Sequence, residues 1–176
     1  MPLPAFHGVL GAIAVVLIHP RTSFRHDWFL LILGAFLAVT PDFDFFFVWI
    51  LGWGDDWHRG FTHSIPAAAV FTLLLYLAKM PSHFRSVLAL GAALLSHSVL
   101  DYLTTKFDGG VELLFPFSDE RFRLGLAGYV EGTQDFTIVD YLKVGLIESI
   151  AVLPLFVLVL WFGGYLSIPD RGKRDF

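Results

Sequence analysis

Apolar runs of membrane-span length recur along this chain, and they constrain its fold more tightly than any motif does. They fall at residues 3–18, 28–50, 61–78, 84–103 and 138–160. A membrane helix needs about 20 mainly apolar residues, so the first and third runs are short and rely on little tilt or on flanking residues. The joints at 20–27, 52–60, 79–83 and the longer 104–137 carry Gly, Pro or polar residues. The expected fold is an all-α, polytopic membrane helix bundle with about five transmembrane helices. Composition agrees: the chain is 56% hydrophobic, above the roughly 45–50% of a soluble domain. Its 176 residues suit one membrane-embedded domain, with a motif-bearing core at 6–124 and a fifth helix plus tail at 137–176. The absence of cysteine excludes disulfides, thiolate metal sites and thiol nucleophiles. A net charge of −4 without a basic stripe argues against a nucleic-acid partner. No Lys or Arg precedes the first run, so it reads as a first membrane helix rather than a signal peptide.

Positive charges set the expected orientation. Arg21 and Arg25, Lys79 and Arg85, and the tail residues Arg171, Lys173 and Arg174 share one side, taken as cytoplasmic. The opposite joints hold Arg59, Lys106, Arg121, Arg123 and Lys143 but many acids, among them Asp55, Asp56, Asp108, Glu112 and Glu131. This puts the N-terminus outside and the C-terminus in the cytoplasm. Trp49, Trp53 and Trp57 fit an outer aromatic belt, and Trp28 and Trp161 an inner one.

Ionisable groups at membrane depth are expensive and usually kept for function. In this topology His7, Asp42, Asp44, His58, His63, His97 and Asp101 all fall at the outer ends of helices, which is the pattern expected of one metal site built from several segments. His97 and Asp101 are four apart and share a helix face, so one ion can take both, or Asp101 can orient the imidazole. Asp42 and Asp44 diverge on a regular helix; an unwound end near Pro41 would let both reach one cation, or each serves a different ion. Gly60 permits a tight loop that brings His58, Arg59 and His63 to a helix entry. Mixed imidazole and carboxylate ligands suit zinc, manganese or iron better than calcium. Arg59 beside such a site suits an anionic substrate, phosphate above all. Each group also has a plainer reading. A lone His can bond a neighbouring helix, an Asp can cap a helix end, and His97 with Asp101 can be a buried structural pair. His19, His26 and His83 read as ordinary residues of the cytoplasmic interface. Glu148 either faces the bundle or pairs with Lys143. The apolar outer loop after Gly109-Gly110 suggests a cover over the site, and Arg121 and Arg123 would hold a headgroup phosphate or anchor to lipid phosphates.

Several pieces in order make the chain resemble the YdjM-like family of inner-membrane, metal-dependent hydrolases of the LexA-regulated type. They are His7-Gly8, Pro41-Asp42-Phe43-Asp44, His58-Arg59-Gly60-Phe61-Thr62-His63-Ser64, Ser96-His97 through Asp101 to Thr104, and the run from Gly110 to Pro116 followed by Arg121-Phe122-Arg123. Many relatives carry a histidine where this chain has Phe45. The resemblance implies a membrane-bound hydrolase with two or more divalent ions, zinc before manganese. A metal-activated water would cleave a phosphoester of an amphipathic, lipid-like substrate at the outer interface. Asp42 or Asp101 would accept a proton, and Arg59 would stabilise charge on the phosphoryl oxygens. The implied location is the inner membrane, multi-pass, with the site facing the periplasmic or extracellular side and membrane lipid as partner. Two alternatives stand beside this: a metal-binding or metal-transporting membrane protein without hydrolysis, and a stress-related protein whose site only stabilises the fold. The oligomeric state is not legible.

Overall fold

The computed structural model describes residues 4–19, 24–54, 57–105, 109–126, 138–163 and 165. The basic tail and Arg21, on which much of the expected orientation rests, lie outside these residues, as do Lys106, Asp55, Asp56, Asp108 and Glu131. The regular elements among the described residues are helices, with one isolated antiparallel pairing of Val111 with Phe122 in an otherwise irregular loop. The α-helices are α1 (Pro4–Ile18), α2 (Phe24–Leu37), α3 (Ile65–Leu77), α4 (Phe84–Thr104) and α5 (Ile138–Phe162).

Helix α1 packs against α2, α4 and α5, and α4 also packs against α2 and α3. The core between them is apolar: Ala12 and Val15 of α1, Leu30 and Leu31 of α2, Leu90 and Ala93 of α4. Small residues let the helices approach closely, as in membrane bundles generally. A Cβ on Gly11 would collide with Ala38 and the backbone of Gly34, so α1 and α2 touch almost backbone to backbone. A Cβ on Gly91 would collide with Thr72, so α3 and α4 meet there. Helices α3 and α5 turn most of their large apolar side chains outward, including Leu73, Leu74, Leu77, Ile147 and Leu153. Such a surface is too apolar for water and marks contact with lipid or protein.

Two helices are long and apolar enough to cross a membrane, Phe84–Thr104 and Lys143–Phe162. A third span is present if Asp27–Leu37 and Thr40–Val48, bent by 44° at their break, count as one. The remaining apolar helices, Pro4–Ile18 and Ile65–Leu77, are shorter. At 15 and 13 residues they reach about 22 and 20 Å, against about 30 Å of hydrocarbon.

The run at 28–50 differs from one straight helix for a local reason. Helix α2 stops at Leu37, before Pro41, and the chain continues as a 3₁₀ turn at Thr40–Asp44 and a π turn at Phe46–Ile50. Pro41 has no N–H to continue an α ladder, and the Thr40 hydroxyl takes up the Leu37 carbonyl at 2.8 Å. The run at 61–78 likewise opens with a separate 3₁₀ turn, Phe61–His63, before α3 begins. Ser64 caps α3 by accepting the Ala67 N–H at 3.1 Å, with Pro66 in the first turn. Both breaks occur beside the ligand-type residues and free them from helical periodicity.

Trp28 packs partly buried against the core, whereas Trp53, Trp57 and Trp161 are exposed. The interfacial reading of His19 is corrected. Its ring is 4% exposed, with Nε2 3.1 Å from Asp27 Oδ1 and Nδ1 2.9 Å from the Ser86 hydroxyl. It ties the end of α1 to the starts of α2 and α4.

Candidate metal centre

Asp42, His63, His97 and Asp101 each offer one ligand atom, and these atoms all lie within 4.8 Å of one another. All four residues are buried. They come from the 3₁₀ turn after α2, the turn before α3, and two successive turns of α4.

Hydrogen bonds on the far side of each imidazole aim its other nitrogen inward. His97 Nδ1 lies 2.7 Å from the Ala38 carbonyl. A carbonyl only accepts, so Nδ1 carries the proton and Nε2 of the neutral ring presents a lone pair. Thr62 donates its hydroxyl to Asp44 Oδ2 at 3.2 Å and so accepts from His63 Nδ1 at 3.0 Å. His63 Nε2 is thereby left as a second inward lone pair. The two Nε2 atoms face each other at 2.9 Å, an arrangement that repels unless a proton or cation lies between them.

The carboxylates complete the pattern. Asp42 Oδ1 sits 3.3 Å from His97 Nε2 and 3.6 Å from His63 Nε2. Asp101 Oδ2 sits 3.6 Å from His63 Nε2 and 3.7 Å from His97 Nε2. Four ligands about 2.1 Å from one tetrahedral ion would stand about 3.4 Å apart, so these separations fit a single divalent ion. The polar accounting agrees. Asp42 Oδ1, both oxygens of Asp101 and both ring nitrogens of His7 are buried without a hydrogen-bond partner among the described residues. Buried polar atoms are nearly always satisfied in folded proteins, and a cation held among these residues would satisfy them.

Around the four stand the other residues singled out in the sequence. His7 is fully buried on α1, stacked on His97 with ring centroids 3.9 Å apart, and its Nε2 is 3.4 Å from Asp101 Oδ1. Asp44 faces away from Asp42, across the ring of His63. Its oxygens take His58 Nδ1 at 3.0 Å, the Arg59 backbone N–H at 2.9 Å and the Thr62 hydroxyl. The 3₁₀ turn separates the two aspartates without parting them from the same imidazole. Arg59 is buried with its Nε 3.5 Å from Asp101 Oδ2. Its backbone is left-handed at φ +60°, an uncommon conformation for a residue with a Cβ, held by Asp44 on its N–H and by Glu112 N–H on its carbonyl at 3.0 Å.

The loop at 109–126 lies against this end of the bundle. Its backbone bonds reach Arg59, Ile65, Tyr102 and Leu103, so it joins the entry of α3 to the end of α4. Arg121 donates to Glu112 Oε1 at 2.9 and 3.1 Å and to the His58 carbonyl at 3.2 Å. Arg123 is exposed on the same loop.

A family model described as YdjM inner membrane protein matches residues 1–170. The chain belongs to the YdjM inner membrane protein family. Inner membrane protein YbcI of Escherichia coli (strain K12) is 42% identical over 99 residues, which cover 53% of this chain and 57% of YbcI. The chain thus aligns with little more than half of that relative's length. No solved structure matches. With the apolar helices, the family membership gives an inner-membrane location.

In this YdjM-family chain, the structure brings Asp42, His63, His97 and Asp101 to one point. His7 and Arg59 touch that group through Asp101, and Asp44 and His58 lie behind His63. Glu148 is buried on α5 and is not one of the four. Phe45 stacks on His58 with ring centroids 4.0 Å apart. The sequence reading assigned no role to Thr62, the Ala38 carbonyl or Glu112. Thr62 was findable from its place beside His63. The other two were not, because a backbone carbonyl has no sequence signature and Glu112 meets Arg59 only through the fold.

Proposed function

We propose that this chain is a multi-pass, metal-dependent hydrolase that cleaves a phosphoester of a lipid-like substrate at the periplasmic face of the inner membrane. One observation carries the reading: two imidazole lone pairs and buried, unsatisfied carboxylate oxygens converge on one point. Zinc suits the nitrogen and oxygen donors and their spacing, with manganese next. Asp101 Oδ2 faces the two imidazoles and Oδ1 faces His7, so Asp101 and His7 would together offer donors to a second ion.

A divalent ion there, held by His63, His97 and Asp101, would keep one position open to water, supply Lewis acidity and lower the pKa of that water. The chain's own residues supply the rest. Asp42, the least buried of the four, accepts the proton released from water. Arg59 aims its guanidinium at the same point and offsets negative charge on the phosphoryl oxygens. Asp44, through Thr62, holds the His63 ring in its ligating tautomer. Arg121 ties the covering loop to the His58 carbonyl, and the exposed Arg123 would meet a headgroup phosphate. The proposed topology has five crossings, N-terminus outside, with α1 and α3 crossing where flanking residues or local bilayer thinning make up their length.

A metal conduit needs polar groups from one end of the bundle to the other. Between Ser86 and His97 the buried face of α4 presents Ala89, Leu90 and Ala93, which pack with apolar residues of α1 and α2. This favours a site confined to one end. The test is phosphate release from phosphatidate or a polyprenyl phosphate by the zinc-loaded protein in lipid. Turnover should vanish in His63→Ala and Asp101→Ala while both remain in the membrane. Wild-type turnover in either variant would sink the assignment.

A further inference from the structure

An apolar cleft of about 480 Å³ opens between α3 and α4, away from the core. Its walls include Ile65, Ala68, Ala69, Ala92 and Leu95. The small side chains at its floor make a recess where most lipid-facing helix surfaces bulge. The one hydroxyl midway along it, on Thr72, is spent on the Ala68 carbonyl at 2.7 Å. At the far end Tyr76 and Phe84 stand edge to face, 5.7 Å apart. The near end lies at the level of the metal centre along the bundle, since Ile65 follows His63-Ser64 and Leu95 precedes His97 by two residues.

Length identifies the occupant. From Ile65 to Tyr76 on α3, and from Phe84 to Leu95 on α4, the helices rise about 16 Å. That is half of the roughly 30 Å hydrocarbon thickness, the depth of one leaflet and so of one lipid tail. The volume lies within the roughly 300–1,000 Å³ of ordinary ligand pockets. Its lining is almost wholly apolar, so it discriminates by shape and apolar contact.

We infer that the α3–α4 cleft is the tail-binding groove of this protein, seating one hydrocarbon chain of a lipid whose anionic headgroup lies at the Asp42–His63–His97–Asp101 centre beside Arg59. The inference rests on the proposed function for the headgroup, but the groove can be tested without turnover. The full chain would be reconstituted in phosphatidylethanolamine vesicles doped with phosphatidate carrying a mid-chain diazirine, photolysed, and mapped by peptide mass spectrometry. Labels should concentrate on Ala69, Leu73, Leu88 and Ala92, and excess unlabelled phosphatidate should suppress them several-fold. Labels on the outward face of α5, at Leu146 and Leu153, should not be displaced. Ala92→Trp and, independently, Ala69→Trp should lower groove labelling at least fivefold while keeping wild-type metal content. Labelling that is equal on groove and α5 and does not saturate would overturn the inference, as would a cross-link from the groove to a second copy of the chain. Saturable groove labelling in a chain that takes up no metal would uphold the groove and sink the metal-dependent reading.

Discussion

Two buried histidine–aspartate clusters stand at opposite ends of the same bundle, and they are built on opposite principles. At one end His19 is bonded on both ring nitrogens, to Asp27 and to Ser86. At the other, His63 and His97 each spend one nitrogen on an outer partner and turn the second inward, where it meets carboxylate oxygens with no hydrogen-bond partner among the described residues. The residue types match and the burial matches; only the hydrogen-bond accounting differs. A satisfied polar cluster pins helices together. An unsatisfied one costs free energy in the empty protein and recovers it when a ligand arrives. Histidine beside aspartate therefore does not mark a metal site in a membrane bundle; the orphaned atom does.

The sharpest way to break this contrast is to exchange the residues' fates. His97→Ala or His63→Ala should lower bound metal per chain by at least about tenfold in elemental mass spectrometry, since each removes a ligand outright. His19→Ala should leave metal content unchanged. Equal metal loss in all three would erase the distinction between the two ends. A smaller effect is expected one bond further out. Asp44→Ala should weaken metal affinity about 10–100-fold, the usual range for the partner that orients a ligating imidazole, as measured by competition with a chromophoric chelator.

Stability should separate the clusters next. Chelation should lower the thermal midpoint of wild type. Asp101→Asn should abolish the gain in midpoint on adding zinc, because it removes a carboxylate of the proposed site, and should lower the midpoint of the metal-free protein, because buried Arg59 loses the carboxylate beside it. A zinc-dependent gain of wild-type size in Asp101→Asn would mean that this carboxylate does not hold the ion. At the other end, His19→Ala should cost about 1–3 kcal/mol by leaving Asp27 without that partner, and Ser86→Ala about 1 kcal/mol, in denaturant titrations of detergent-solubilised protein. Neither cost should depend on zinc.

Much of this was legible before any coordinates. The apolar runs announced helices, and the exposed apolar faces of α3 and α5 show why the runs tolerate so few charges. The spacing of His97 and Asp101 placed both on one face of α4, since helical periodicity is local and reads directly from sequence. Pro41 announced a break near Asp42. Other features depended on atoms distant in the chain. His19 looked interfacial because its partners are 8 and 67 residues away. The 28–50 run looked like one helix because apolar composition does not report a change in hydrogen-bond ladder. Asp42 and Asp44 looked equivalent until the 3₁₀ turn set them on either side of His63. The sequence by itself determined an apolar, helical, membrane-type chain with ligand-type residues at recurring breaks, because propensity, hydropathy and spacing act over one or two turns. Only the tertiary structure decided which imidazole nitrogens face inward and which oxygens are left without partners, because a hydrogen bond is satisfied by geometry between segments and not by the identity of the residue that makes it.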